Sequence, residues 1–100
     1  MAKKINVSPR AKEDLRYIWN YTFDVWGEAQ ADKYFTQIYQ RFEWLSENMQ
    51  SGKQRPDVFR GCYSFPQGSH VVFYLIGKDS IDIIGVTHKA MDTLNYFNNE

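Results

Sequence analysis

Residues 8–49, SPRAKEDLRYIWNYTFDVWGEAQADKYFTQIYQRFEWLSENM, decide the fold. Ser8 can cap an open backbone N–H, and Pro9 suits the first helical position. Ala11, Leu15, Ile18, Thr22 and Val25/Trp26 then recur at steps of three and four, which is one face of an α-helix. Gly27 supplies the left-handed position that ends helices. The rhythm resumes at once through Ala31, Phe35, Ile38, Phe42, Leu45 and Met49, and Ser51-Gly52 ends it. Two helices joined by so short a turn fold back as an antiparallel hairpin.

Working outward, Ile5 and Val7 alternate with polar neighbours and read as a short strand. Residues 53–60, Lys-Gln-Arg-Pro-Asp-Val-Phe-Arg, read as a loop. Three strands follow at Cys62–Phe65, His70–Ile76 and Ile81–Thr87, separated by Pro66-Gln67-Gly68-Ser69 and Gly77-Lys78-Asp79-Ser80, both short enough for β-hairpins. Asp92, Leu94 and Phe97 point to one helical turn in the tail. The expected architecture is a single α+β domain over residues 1–100, in the order β-α-α-β-β-β. The helical hairpin should cover one face of a small, mainly antiparallel sheet. Two intervening helices should return the chain so that the first and second strands run antiparallel.

Twelve basic residues balance twelve acidic ones, which removes the easy argument for nucleic acid, because phosphate binding needs clustered positive charge. The aromatic share, 17%, exceeds what one small core comfortably hides, and aromatics are favoured anchors at protein interfaces. Cys62 is the one cysteine, so no internal disulfide forms, and it reads as a small buried strand residue, not a nucleophile. Neither a leader-like apolar segment nor a run approaching the roughly 20 residues of a membrane span is present, so the cytoplasm is expected.

Tyr17 and Tyr21 stack at i, i+4 well around helix one from its core stripe, and Phe23 points nearly opposite. Two readings stand side by side: an aromatic second face offered to another chain, or tyrosines half-buried against neighbouring elements. His70 and His88 are the two histidines, and a one-residue choice of register decides whether both rings face one side. Without supporting Cys or ligand-spaced carboxylates they make a poor metal set, so no metal and no cofactor is expected. Arg60, His88 and Lys89, with Lys53 and Arg55, could form a cationic patch along one sheet end. RNA cleavage needs a base, an acid and cations for the phosphate; His88 could act as base or acid and Arg60 could hold phosphate. Against that stands an ordinary solvated loop, its field thinned by Asp57, Asp79, Asp82 and Asp92.

The chain resembles the RelE/ParE toxin superfamily, closest to its ParE branch. The resemblance rests on Ser8-Pro9-Arg10-Ala11-Lys12-Glu13-Asp14-Leu15, on Trp26-Gly27-Glu28, on Phe65–Tyr74 and on His88-Lys89-Ala90-Met91-Asp92, in order and at family spacing. One departure is Asn48-Met49, where relatives often have Asn-Pro. The resemblance implies the toxin of a toxin–antitoxin pair, one that binds DNA gyrase without catalysis and is neutralised by a ParD-type antitoxin wrapped along the helical hairpin and sheet. It makes Tyr17, Tyr21 and Phe23 the antitoxin-facing candidates, and Arg60, His88, Lys89, Met91 and Asp92 the target-facing ones. The RelE branch instead cuts mRNA on the ribosome. Its members tend to be strongly basic, which this chain is not, so that reading stands as the alternative, with Arg60, His88 and Lys89 as its catalytic candidates.

Overall fold

In the computed structural model, which describes residues 4–58, 60–91 and 96–97, the chain runs β1 (Lys4–Val7), α1 (Pro9–Trp26), α2 (Glu28–Glu47), a 3-10 turn (Met49–Ser51), β2 (Lys53–Gln54), β3 (Cys62–Gln67), β4 (His70–Ile76) and β5 (Ser80–His88). The Ser8 side chain accepts from Ala11 N–H at 3.1 Å, with Pro9 in the first turn as expected. Gly27, at φ 92°, serves both helices: its N–H closes α1 on the Phe23 carbonyl, and its carbonyl accepts from Ala31 N–H to open α2. The core lies between Ala11, Leu15 and Ile18 of α1, Ile38, Phe42 and Leu45 of α2, and Val72, Tyr74, Ile81, Ile83 and Val86 of the sheet.

The sheet order is β1-β5-β4-β3-β2. The expected β3–β4 and β4–β5 hairpins form, but β1 lies parallel to β5, from Lys4 opposite Ser80 to Val7 opposite Ile83. The expectation that β1 opposes Cys62–Phe65 is thereby corrected. Lys53–Gln54, read from sequence as loop, pairs antiparallel with Ser64 and Tyr63, and this extra strand reverses the chain once more before β3. With both hairpin edges taken, the open side of β5 is where β1 finds hydrogen-bond partners.

β1 covers only the first half of β5. Ile84 bulges between the Tyr74–Ile83 and Phe73–Gly85 pairs, and there the chain leaves the sheet: Ser8 N–H donates to the Ile83 carbonyl at 2.9 Å and Ser8 Oγ to the Ile84 carbonyl at 3.4 Å. Beyond that point Asp14 of α1 replaces the missing strand, accepting from Val86 N–H at 3.0 Å and from the Tyr96 hydroxyl at 2.5 Å. Burial pushes the Asp14 carboxyl above its usual range, against the lowering effect of these two bonds.

The far face of the sheet is also covered. Phe73 is fully buried there, with the Arg55 guanidinium 5.5 Å above its ring and Phe97 edge-on at 5.3 Å. Of the helical turn expected at Asp92, Leu94 and Phe97, Phe97 is helical together with Tyr96, and Asp92 and Leu94 lie outside the described residues. Three further differences concern the helices. α2 stops at Glu47, so Met49 opens the 3-10 turn and does not extend the helical stripe. Val25 and Trp26, placed on the core stripe by their spacing, are 50% and 71% exposed. No helix among the described residues is long and apolar enough to cross a membrane.

Candidate functional site

The last two turns of α1 and the first turns of α2 stand over the end of the sheet where β4 begins and β5 finishes. Between them lies a groove of about 660 Å³. Tyr17, Ile18, Tyr21 and Thr22 form the α1 side, Trp26 closes the hairpin end, and Gln30 and Tyr34 form the α2 side. Ser69, His70 and His88 make the floor, with Met91 at the lip. Tyr17 and Tyr21, 72% and 58% exposed, stand in the open and are not half-buried against neighbours. Trp26 is exposed because the end of the α1 stripe runs out over this groove, not over the sheet.

The register that sequence alone left open is settled in the floor. His70 and His88 are direct partners, so both rings leave the same face, and they meet edge to face with centroids 5.5 Å apart. The Tyr34 hydroxyl donates to the Gln67 carbonyl at 3.1 Å, accepts from Ser69 N–H at 3.1 Å, and sits 2.6 Å from His70 Nδ1. With the hydroxyl proton on Gln67, the His70 bond is Nδ1–H donating to Tyr34 oxygen, which leaves Nε2 as the acceptor of a neutral ring. Burial first, and His88 second, lower the His70 pKa to about 4, so the ring is neutral at pH 7. Gly68, at φ 59°, is required here twice over, since a methyl group on it would stand 2.7 Å from the Tyr34 ring. His88 lies at the strand end, its Nδ1 accepting from Ala90 N–H at 3.1 Å.

Not all of the sequence candidates gather here. Tyr17, Tyr21, His88 and Met91 line the groove, and Lys89 adjoins it, exposed, with its N–H bound to the Ser69 carbonyl. Phe23 stacks on Trp19 at 5.2 Å on the other side of α1, where the Trp19 indole donates to Asp32. Arg60 precedes Cys62, which faces Leu75 at the far end of β4, whereas His88 faces His70 at its start. Arg60 therefore stands at the opposite end of the sheet from His88 and Lys89, and the cationic patch of Lys53, Arg55, Arg60, His88 and Lys89 is not assembled. Arg55 instead chelates Asp57 at 3.0 Å. Cys62 is buried and its thiol pushed up to about 11 by that burial, far from a nucleophile's range. Asp92 lies outside the described residues. Trp26, Gln30 and Tyr34 were missed because they fall off or at the end of the helical stripes; the i, i+4 step from Gln30 to Tyr34 was their one sequence signal.

Residues 5–93 match the model of the ParE toxin of the type II toxin–antitoxin system parDE. The chain belongs to the ParE toxin family. Among curated relatives, Toxin ParE1 of Caulobacter vibrioides is 36% identical over 90 residues, covering 90% of this chain and 93% of that protein. Toxin ParE1 of Mycobacterium tuberculosis is 31% identical over 93 residues, covering 92% and 95%. Two solved structures share the fold: a chromosomal ParDE toxin–antitoxin system from P. aeruginosa, with a TM-score of 0.75 at 17% identity over 87% of this chain and 96% of that one, and the RelBE2 toxin–antitoxin complex from Mycobacterium tuberculosis, with 0.61 at 18% over 89% and 100%. This ParE-family chain is thus the toxin of a type II toxin–antitoxin system.

Proposed function

We propose that this ParE-family toxin acts in the cytoplasm as a single domain that inhibits DNA gyrase by protein binding, and that a ParD-like antitoxin neutralises it by laying a segment across the helical hairpin. The observation that carries this reading is the groove itself, in which Tyr17, Tyr21 and Trp26 are exposed and no lining residue is an Asp, Glu, Lys or Arg. Such a surface suits a polypeptide with apolar anchors, and coupled folding of a segment uses anchors of this kind. The separation of Arg60 from His88 argues against the RelE-branch alternative, because phosphate and its acid–base partner must meet at one site.

Purified protein added to a gyrase supercoiling assay should abolish supercoiling at stoichiometric excess, and prior addition of the antitoxin should restore it. Unchanged supercoiling, together with cut transcripts in a translation extract that His88→Ala leaves intact, would assign the chain to mRNA cleavage instead.

A further inference from the structure

The surroundings of Arg41 on α2 hold its charge in place, and among the described residues no acidic side chain is bonded to it. Its guanidinium lies 5.0 Å from the Trp44 ring centre and 4.9 Å from that of Phe65, stacked against both. Its Nε donates to Gln67 Oε1 at 2.9 Å. Among the described residues no acceptor meets Nη1 or Nη2, and the positions one turn away on α2 are Gln37, Ile38, Trp44 and Leu45, none of them acidic. Arg16 of α1, by contrast, is paired with Glu13 at 2.6 Å. The side chain opens into a depression of about 440 Å³ that also includes the amides of Gln37 and Gln40.

We propose that Arg41 is a carboxylate-binding site for an Asp or Glu side chain of the antitoxin segment, received end-on by Nη1 and Nη2 between the flanking amides. The site rests on the antitoxin reading above and deepens it. A guanidinium fixed by two rings and a hydrogen bond has lost its conformational freedom before binding, which favours the planar two-bond recognition of a carboxylate. The groove and this depression share the β3–β4 turn, since Tyr34 of the groove bonds the carbonyl of the same Gln67 whose amide oxygen holds Arg41. Tyr34 and Arg41 are seven positions apart on α2, or about 10 Å along its axis. An acid on the partner should therefore follow or precede its groove-filling apolar side chain by about three residues if the segment is extended, or about seven if it is helical.

The test is titration of the wild type and of Arg41→Gln with the ParD-like antitoxin proposed to neutralise the toxin, at low and high salt. Arg41→Gln should weaken binding about ten- to a hundredfold and flatten the salt dependence, with the urea midpoint little changed. Arg41→Met, which keeps an unbranched chain between the rings, replaces it if the Gln variant unfolds. Arg41→Glu should recover affinity only against an antitoxin whose matching acid is changed to Lys. Equal affinity of wild type and Arg41→Gln would overturn the site and leave the antitoxin reading standing; a wild type that does not bind this antitoxin would overturn the reading itself. Binding of a single-stranded RNA oligonucleotide that is lost in Arg41→Gln would assign the guanidinium to phosphate and also overturn the proposal.

Discussion

The imidazoles of His70 and His88 face each other across β4 and β5, centroids 5.5 Å apart and planes at 83°, with His70 held from behind by the Tyr34 hydroxyl at 2.6 Å. Partial burial first, and the neighbouring His88 second, make a proton on His70 costly in the fold, which feeds into stability at acid pH.

In the unfolded chain His70 takes up its proton near pH 6.5; in the fold it does so near 4. Between these values the unfolded state binds more protons, so this contribution is complete above about 6.5 and is lost as pH falls toward about 4. His70→Gln should remove that slope, by on the order of 2 kcal/mol between pH 7 and 4.5 after allowance for partial exposure. Asp14, with its raised pKa, acts in the opposite sense, but it is common to both proteins and cancels in the difference. Urea unfolding at the two pH values checks this; parallel pH profiles for wild type and variant would refute it.

Gly52→Ala should destabilise the fold by about 1–3 kcal/mol. The cause is not backbone conformation, since φ there is −72°. An added methyl group would lie 2.2 Å from the hydroxyl oxygen of Tyr74, which is fully buried, donates to the Met49 carbonyl at 2.8 Å and accepts from Gly52 N–H at 3.0 Å. A double-mutant cycle with Tyr74→Phe, read by denaturant midpoint, should show the two changes coupled by more than about 0.5 kcal/mol. Additive effects would mean that the clash is relieved elsewhere.

Asp14→Ala should cost about 1–3 kcal/mol, because it strands the Val86 amide on the part of β5 that β1 does not reach. Hydrogen exchange would show the Val86 amide losing protection while the amides of α2 keep theirs. Retained protection at Val86 would assign that bond to another acceptor.

Tyr17→Ala and Tyr21→Ala should each weaken antitoxin binding by about 2 kcal/mol, near thirtyfold, while shifting folding stability by no more than about 0.5 kcal/mol. Phe23→Ala, on the Trp19 side of α1, should change affinity less than either. Calorimetric titration beside thermal melts separates binding from folding. Loss of stability with unchanged affinity would sink the groove as an antitoxin site.

Much of this was legible in the chain. The helical hairpin, its Ser8 cap and Gly27 turn, and the two closing β-hairpins all form as local spacing predicts, although Pro66 and Gln67, read as turn, pair with Val71 and His70 as the end of β3; a helix stripe and a hairpin turn are set by residues a few positions apart. The same periodicity puts Tyr17 and Tyr21 off the core stripe, and the tertiary structure decides that they stand exposed. Trp26 does not: its spacing is that of a core residue, and only the place where the sheet stops turns it outward into the groove.

What the amino-acid order determined by itself, then, is the set of elements and which side of each is apolar. Folding in three dimensions decided the rest: that β1 joins β5 in parallel, that His70 meets His88 while Arg60 is carried to the other end of the sheet, and that Arg41 lies between Trp44 and Phe65. The physical reason is range. Each of those outcomes depends on strand order and register between segments distant in sequence, where a short extra strand at Lys53–Gln54 reverses the chain and a shift of one residue exchanges the faces.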